Sequence, residues 1–576
     1  MDVGFTPASD PQPLKRPLEA NAATITPGPA KKKVSFGPGV TPGAPQTPED
    51  HKPAPTPSTA TKYKDRSNGG ATVEVANKHL TRRAAWGELG SVTSRAVVVA
   101  APSEADVDAW TSSKAFGGQG SQQQAVGTAT RYRHMFTPPG ERCAALDASL
   151  SDAAQKIRDA FTTKNVEPCA IGTATQTPAL FCGRVCLDAL DGRLNKASVC
   201  LEGERSEGGF RVPLDLSATE GSYALFPGQV IGVVGSAPGE DGTILARSII
   251  LGSPAPPAAS PSPKLQEYHT KQQNNQPLSI WVASGPYTTS DDLDYAPLKD
   301  LLAACRKAKP DAVVLLGPFV DADHPAAKAN DLKEGDEVVD AATLFVLKVA
   351  WALEKLVESE DCPTQFILAP ATRDLVAEPV FPQPPLTAPP LGAKNDTRPS
   401  WQDEFPVSSL ELPSQVHVVG NPGLFKVNEV VIGVTATDVL FQLSSQELFH
   451  NGRDNAPITQ MPRVARLASH LLSQRSFYPL FPPPAMSSTV ADAPVDLRQH
   501  AKWALPLQPD VLITPSRLQP FARDVQGCLV LNPGHLARGQ GGGTFSQLTV
   551  HPLAEGGEGD VAHGVPARTR AEITRI

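Results

Sequence analysis

The residues best suited to chemistry follow short apolar runs. Asp291, Asp292 and Asp294 come after the run 278–284, Asp321 and His324 after 311–316, Asp374 after 366–368, and Ser516 and Arg517 after 510–514. Paired carboxylates can work as acid and base, and carboxylates with imidazoles can hold divalent ions. An acidic run ahead of a helix more often supplies N-cap and dipole contacts, which is the reading for 291–294. His324 has no second imidazole beside it in these motifs and reads as a loop residue. Gly541-Gly542-Gly543 lacks the Lys-Ser/Thr of a phosphate-binding loop and reads as a hairpin connection; Asn532-Pro533-Gly534 reads as a turn. The eight cysteines, at 143, 169, 182, 186, 200, 305, 362 and 528, form no C-x-x-C pair. Several sit in apolar runs, so they read as reduced core thiols.

The elements that must position these residues fall into blocks. The chain has 576 residues, 58 of them proline, and a hydrophobic fraction of 40%. That length exceeds one ordinary domain, and the clustered prolines imply folded blocks alternating with disordered ones. A net charge of −8 argues against phosphate binding over the whole surface. No run of about 18 apolar residues and no signal peptide are seen, so a soluble, intracellular chain is expected.

Residues 1–130 read as a disordered tether, poor in buriable surface at their start. They carry a two-part basic cluster of nuclear-import type, Lys15-Arg16 and Lys31-Lys32-Lys33. Thr6, Thr26, Thr41, Thr47 and Thr56 each precede proline and are candidate phosphorylation sites. Within this stretch Thr72–Val75 alternates like a strand and 117–127 looks like a linker. Residues 131–166 form a helical lead-in, with an apolar face at 146, 150, 154, 157 and 161. Five or six short strands with Gly turns over 167–254 suggest a small barrel, for which an OB-fold is the size match. With few aromatics on its strands, it reads as a protein-docking barrel. Residues 255–276 read as a linker.

From 277 to 576 the rhythm is α/β. Strands are expected at 278–284, 311–316, 366–368, 416–419, 429–435, 510–514, 528–532 and 544–550. Helices are expected at 297–307, 339–358 and near 458–474. The unbroken apolar strands suit a parallel sheet covered on both faces, with right-handed crossovers. A Pro-rich stretch, about 379–405, reads as a disordered surface loop. The strand ends then share one crevice, where α/β proteins place their chemistry.

Those strand ends resemble the calcineurin-like metallophosphoesterases, whose motifs are D-x-H, G-D-x-x-D, G-N-H-D/E and G-H-x-H. Here the first end reads Ala283-Ser284-Gly285-Pro286. At the second, Gly317 and Asp321 remain but Pro318 replaces the ligand Asp. At the third only Asp374 survives, and the last reads Thr514-Pro515-Ser516-Arg517. One or two carboxylates cannot hold two divalent ions, so no cofactor and no phosphoesterase activity are expected. Gly285–Leu293, Leu315–Asp321 and His324-Pro325 resemble, more narrowly, the B-subunit family of DNA polymerase alpha. So do Lys62–Asn68, Gly183–Val185, Gly192–Asn195, Leu201–Gly203, Leu225–Gln229, Val434–Phe441 and Asn532–Gly534.

That resemblance implies an OB barrel packed on an inactive phosphoesterase-like α/β sandwich, behind a long disordered tail. It implies a nuclear, non-catalytic scaffold that holds the C-terminal domain of the polymerase catalytic subunit. Primase and other replisome proteins would be met through the complex, DNA only weakly or indirectly. The family usually begins with a small helical domain, whereas this sequence opens in the tether-like segment. Two alternatives are a phosphodiesterase with a degenerate site using Asp321, Asp374 and the 291–294 carboxylates, and the equivalent subunit of another replicative polymerase. The Gly-Pro-Phe-Val-Asp and Leu-Phe-Pro-Gly-Gln blocks favour alpha.

Overall fold

The computed structural model describes residues 62–83, 95–100, 138–161, 166–188, 192–239, 242–358, 362–386, 410, 412–452, 457–484, 495–553 and 560–576. The expected tether is, from residue 62, partly built into the folded body. Thr72–Ala76 (β1) pairs antiparallel with the last strand of the chain, and Val98–Val99 (β2) joins a second sheet. Tyr63 is buried and donates its hydroxyl to Asp300 at 2.7 Å. Arg83 lies 2.7 Å and Arg95 3.6 Å from the buried Asp311. These long-range anchors cannot be read from a composition that looks like tail. The Thr-Pro sites, the basic cluster and the 117–127 stretch lie outside the described residues.

Five strands close into the expected barrel: Thr175–Leu187 (β3), Val199–Glu202 (β4), Arg211–Asp215 (β5), Val230–Ala237 (β6) and Ile244–Ile250 (β7), in the order β3-β4-β5-β7-β6. Alternate side chains fill it, among them Phe181, Val185, Leu201, Leu214, Ile231 and Val233. Gly183 is required, since a Cβ there would sit 2.7 Å from the Glu202 carbonyl oxygen of the next strand. Helix α1 (Pro139–Phe161) lays Leu150, Ala154 and Ile157 against Leu180, Cys182 and Val230 on the outside of the barrel. Three of the five predicted face positions are thus the buried ones.

The rest forms four layers, helix on sheet on sheet on helix. The first sheet contains Leu278–Ser284 (β8), Ala312–Leu316 (β9), Gln365–Ala369 (β10) and Val416–Val418 (β11), all mutually parallel. The second contains Gly423–Val427 (β12), Val430–Val434 (β13), Val511–Ile513 (β14), Phe521–Val525 (β15) and Cys528–Asn532 (β16). Thr544–Val550 (β17) and Thr569–Arg575 (β18) complete the first, whose order is β1-β18-β17-β8-β9-β10-β11; the second runs β2-β12-β13-β14-β16-β15.

Strand alternation sets the layers. Ile280, Val282, Val314 and Ile367 face the second sheet and meet Ile432 and Ile513. Trp281, Ala283, Val313 and Leu315 face helix α2 (Ala296–Ala308) and the helical stretch 341–357. Helices α3 (Val439–Gln446) and α4 (Arg463–Ser473) cover the far side of the second sheet through Leu440, Leu443, Leu467 and Leu471. Helix α2 carries Leu298, Leu301, Leu302 and Cys305 on its buried face and ends at Lys309, ahead of Pro310. The expected helix 339–358 is interrupted by a wide turn at Val346–Ala350.

Three expectations need correction. Residues 255–276 are more than a linker: Ala259–Pro261 pairs with Asp560–Ala562, and Leu265, His269 and Gln273 are buried. The Pro-rich insert is packed over its first residues, with Phe381 in the core and Gln383 paired to Asn421 by backbone and side chain; residues 387–409 lie outside the described residues. Strands β12, β15 and β18 escape the sequence reading: β12 lies just ahead of the expected strand 429–435, and the other two are mixed in polarity.

The barrel sits on the second sheet's helical side. Gln474 donates to the carbonyls of Val230 (2.9 Å) and Leu251 (2.7 Å), and Arg475 to that of Ser253 (2.7 Å). Tyr223–Leu225 pairs antiparallel with Leu448–His450. Behind that pair Arg466 grips Glu447 through two 3.0 Å bonds and His470 adds a third at 3.0 Å.

Candidate functional site

The carboxyl ends of β8, β9, β10, β13, β14 and β16 come together along one edge, as expected for an α/β crevice. The two sheets meet there: the His535 Nδ1 lies 2.7 Å from the Gly285 carbonyl oxygen, and the Leu536 amide donates to Ser284 at 2.8 Å. Gly285–Pro286 and Gly317–Pro318 are both cis. The chain passes so closely that an added Cβ at Gly285 would collide with the Pro318 carbonyl, and one at Gly317 with the Asp374 carboxylate. Ser284 and Pro515 are buried, with the Ser284 Oγ 3.4 Å from the Gly317 carbonyl oxygen. Pro318 offers no side-chain donor atom.

Asp374 is fully engaged by the backbone. Its Oδ1 accepts from the amides of Phe319 (2.6 Å) and Val320 (3.0 Å), and its Oδ2 from that of Ala371 (3.2 Å). Burial pushes its carboxyl up to about 7, against the pull of those three amides. Asp321 accepts from the Asp323 amide at 3.0 Å and faces the Arg373 guanidinium at 3.4 Å; Arg373 also holds Asp323 at 2.9 Å. Burial raises the Asp321 carboxyl, and Arg373 opposes that rise. So the two surviving motif residues are brought to one place by an isolated antiparallel backbone bridge between Asp321 and Asp374, but each carboxylate already has its partners.

Other predicted residues take structural roles. His324 caps the short helix Pro325–Lys328, accepting from the Ala326 amide at 3.2 Å, while its Nε2 lies 3.0 Å from the Thr289 carbonyl oxygen. The acidic run does not cap α2, whose N-cap is Tyr295; instead Asp292 and Asp294 each lie 3.5 Å from Lys64. Gly541–Gly542 pairs with Ala537–Arg538 as the expected hairpin. Among the described residues no group of three or more His, Cys, Asp or Glu is arranged to hold a metal ion.

Arg517 is exposed, and its amide donates to Asp438 at 2.9 Å. Sequence reading misses His535, Arg538 and the role of Arg373. Burial lowers His535 to about 4; the hydrogen bond to Gly285 works the other way, and the charges of Arg373, Arg538 and Arg517 add to the lowering. The available signal is the Gly534-His535 pair directly after β16, a strand end that its composition presents as a turn. His535 lies beyond the motifs in which His324 has no second imidazole beside it.

A second constellation invites comparison with nucleophilic catalysis. His563 Nε2 lies 2.9 Å from Ser260 Oγ and its Nδ1 2.6 Å from Asp510 Oδ2, the spacing of a hydrolase triad. Ser260 is 2% exposed, His563 1% and Asp510 5%, so no acyl donor can reach the hydroxyl. Lys426 also donates to Ser260 at 3.3 Å, and Asp510 accepts the Val431 amide at 2.9 Å. The arrangement is a latch between the 255–276 segment, the second sheet and the C-terminal region.

Two family models and several known proteins match this sequence. The family described as the B subunit of DNA polymerase alpha/epsilon matches residues 280–523, most of both sheets' parallel cores. The family described as the OB domain of the DNA polymerase alpha B subunit matches 144–251, helix α1 with the barrel. The DNA polymerase alpha B subunit of Schizosaccharomyces pombe is 33% identical over 535 residues, covering 90% of this chain and 81% of the relative. That of Mus musculus is 29% identical over 537 residues, 92% of this chain and 76% of the relative, and that of Drosophila melanogaster 31% over 350 residues, 61% and 48%. A barrel with its lead-in helix, a two-sheet body with prolines at the strand ends, and likeness over nine-tenths of the sequence lead to one statement: the chain belongs to the family of DNA polymerase alpha B subunits.

Proposed function

We propose that this protein is a non-catalytic scaffold of a nuclear DNA polymerase alpha–primase assembly, and that its body is a calcineurin-like phosphoesterase sandwich turned to docking. In this reading the barrel and the two-sheet body together hold the C-terminal domain of the catalytic subunit and support the start of replication. One observation carries it: Asp374 satisfies three backbone amides and Asp321 faces Arg373, so the carboxylates that relatives of this fold class use for metals are internal fastenings here. A two-metal clamp needs several oxygen and nitrogen donors free to converge on ions. The degenerate positions Ser284, Gly285, Gly317, Pro318, Pro515 and Arg517 supply tight turns and a cation instead.

The barrel's polar ties to the body, through Gln474 and Arg475, support the scaffold reading, because a docking surface built from two elements needs them fixed to each other. The test is co-purification of the full chain with a tagged C-terminal domain of the polymerase alpha catalytic subunit, alongside hydrolysis of a generic phosphodiester with manganese. Stoichiometric capture without turnover is the expected result. Turnover that follows bound metal, with no capture, would sink the reading.

A further inference from the structure

We propose that Arg373, Arg517 and Arg538, gathered around His535 at the carboxyl ends of the strands, form a binding site for a phosphate-bearing anion. Their placement comes from both sheets. Arg373 follows β10, Arg517 follows β14, and Arg538 lies in the hairpin after β16; the Arg538 Nη2 donates to the Arg517 carbonyl oxygen at 3.2 Å, which holds the two residues side by side. Arg517 and Arg538 are exposed, so their guanidinium groups reach solvent at the mouth.

The local balance of charge decides the sign. Arg373 is matched by Asp321 at 3.4 Å and Asp323 at 2.9 Å. Asp323 is shared with Lys328 at 2.9 Å. Asp438 accepts the Arg517 amide and caps α3; burial raises its carboxyl and the Arg517 charge opposes that rise, so Asp438 offsets part of the Arg517 charge, while Asp374 is turned to three backbone amides. No carboxylate among the described residues is ion-paired with Arg538. The three guanidinium charges act together on His535, whose Nδ1 is committed to Gly285, and a phosphoryl dianion set among them would reverse that effect. Guanidinium groups suit this ligand because their fork matches two phosphate oxygens at once.

This site is independent of the scaffold reading, since an anion can bind whether or not the catalytic subunit is held. The probes are pyrophosphate, as a free anion, and a phosphothreonine peptide with its unphosphorylated twin, titrated calorimetrically into the full chain. Saturable binding of either phosphorylated probe is expected, weakened by about tenfold in Arg538→Gln and further in Arg517→Gln/Arg538→Gln. Arg538→Lys, which keeps the charge and loses the fork, should fall between. The pyrophosphate and peptide arms tell a free anion from a protein-borne one. Raising salt should weaken the wild type more than the double variant. A parallel readout is the His535 ring, whose titration should move upward when the probe binds. Absence of saturable binding to both probes, or equal affinity in wild type and a double variant with unchanged melting temperature, would overturn the proposal.

Discussion

Two buried carboxylates at opposite ends of the body's parallel strands, Asp374 and Glu429, settle in opposite ways. At the carboxyl ends, Asp374 is surrounded by amides and hydrophobic neighbours, and burial lifts it to about 7. At the amino end of β13, Glu429 is equally enclosed, yet it drops to about 2: burial opposes ionisation, but the His269 bond at 3.1 Å and the Arg568 guanidinium at 3.0 Å outweigh it. Gln273 adds a bond at 3.2 Å. The difference teaches that enclosure alone does not fix a carboxyl's state; the sum of its bonded partners does, and one nearby cation is not enough, since burial raises Asp311 although Arg83 lies 2.7 Å away. It also separates two uses of buried charge. The amino-end cluster ties the 255–276 segment and the chain's C-terminal region to the second sheet, whereas the carboxyl-end group shapes the turns of the crevice.

The sharpest way to break the comparison is to remove Glu429. Glu429→Ala strands Arg568 and Gln273 in a site where Glu429 itself is 0% exposed, and should cost about 3–5 kcal/mol in urea unfolding. A loss below about 1 kcal/mol would mean that the amino-end cluster is not the stronger fastening. Asp374→Ala leaves three buried amides without an acceptor and should cost about 2–4 kcal/mol.

The pH dependence runs in opposite directions at the two ends. Asp374 is raised in the folded state, so its burial costs stability above its unfolded pKa, and that cost is relieved as pH falls from about 7 toward 4. Glu429 is depressed, so the stability it contributes is present above its unfolded value and is lost as pH falls toward about 2. Relative to Asp374→Asn, the wild type should therefore gain stability between about pH 7 and pH 5. Parallel pH profiles for the two proteins would show that Asp374 is not the titrating group.

Local signals are legible in the sequence and long-range ones are not. Unbroken apolar runs announce β8, β9 and β10, and the spacing 150, 154, 157 announces the buried face of α1. The glycines and prolines at the strand ends announce a crevice altered from a metal-binding pattern. What stays hidden depends on partners hundreds of residues away. Arg66 and Tyr63 meet Asp300, Arg83 meets Asp311, and Ser260 meets His563. No composition of residues 62–83 or 255–276 discloses that their polar side chains are pinned from across the chain. His535 is hidden for a different reason: the turn motif Asn532-Pro533-Gly534 accounts for the end of β16 without calling for a donor behind it.

The mildest test concerns Arg373, the cation that bridges the crevice's own acids. It spans the exposed Asp323 and the largely enclosed Asp321, with its own side chain about a quarter exposed (26%); solvent screens the Asp323 pair, and Asp321, already raised by burial, can take up a proton when the cation is removed. Arg373→Met keeps the length and packing of the stem and should change stability by less than about 1 kcal/mol, far less than the loss of Glu429. Its effect should instead be electrical. Arg373 is one of three cations that hold His535 down, so the His535 titration should shift upward in the variant while the melting temperature barely moves. A large loss of stability with an unmoved His535 would reverse the assignment, making Arg373 a keystone like Arg568 and erasing the contrast between the two ends of the strands.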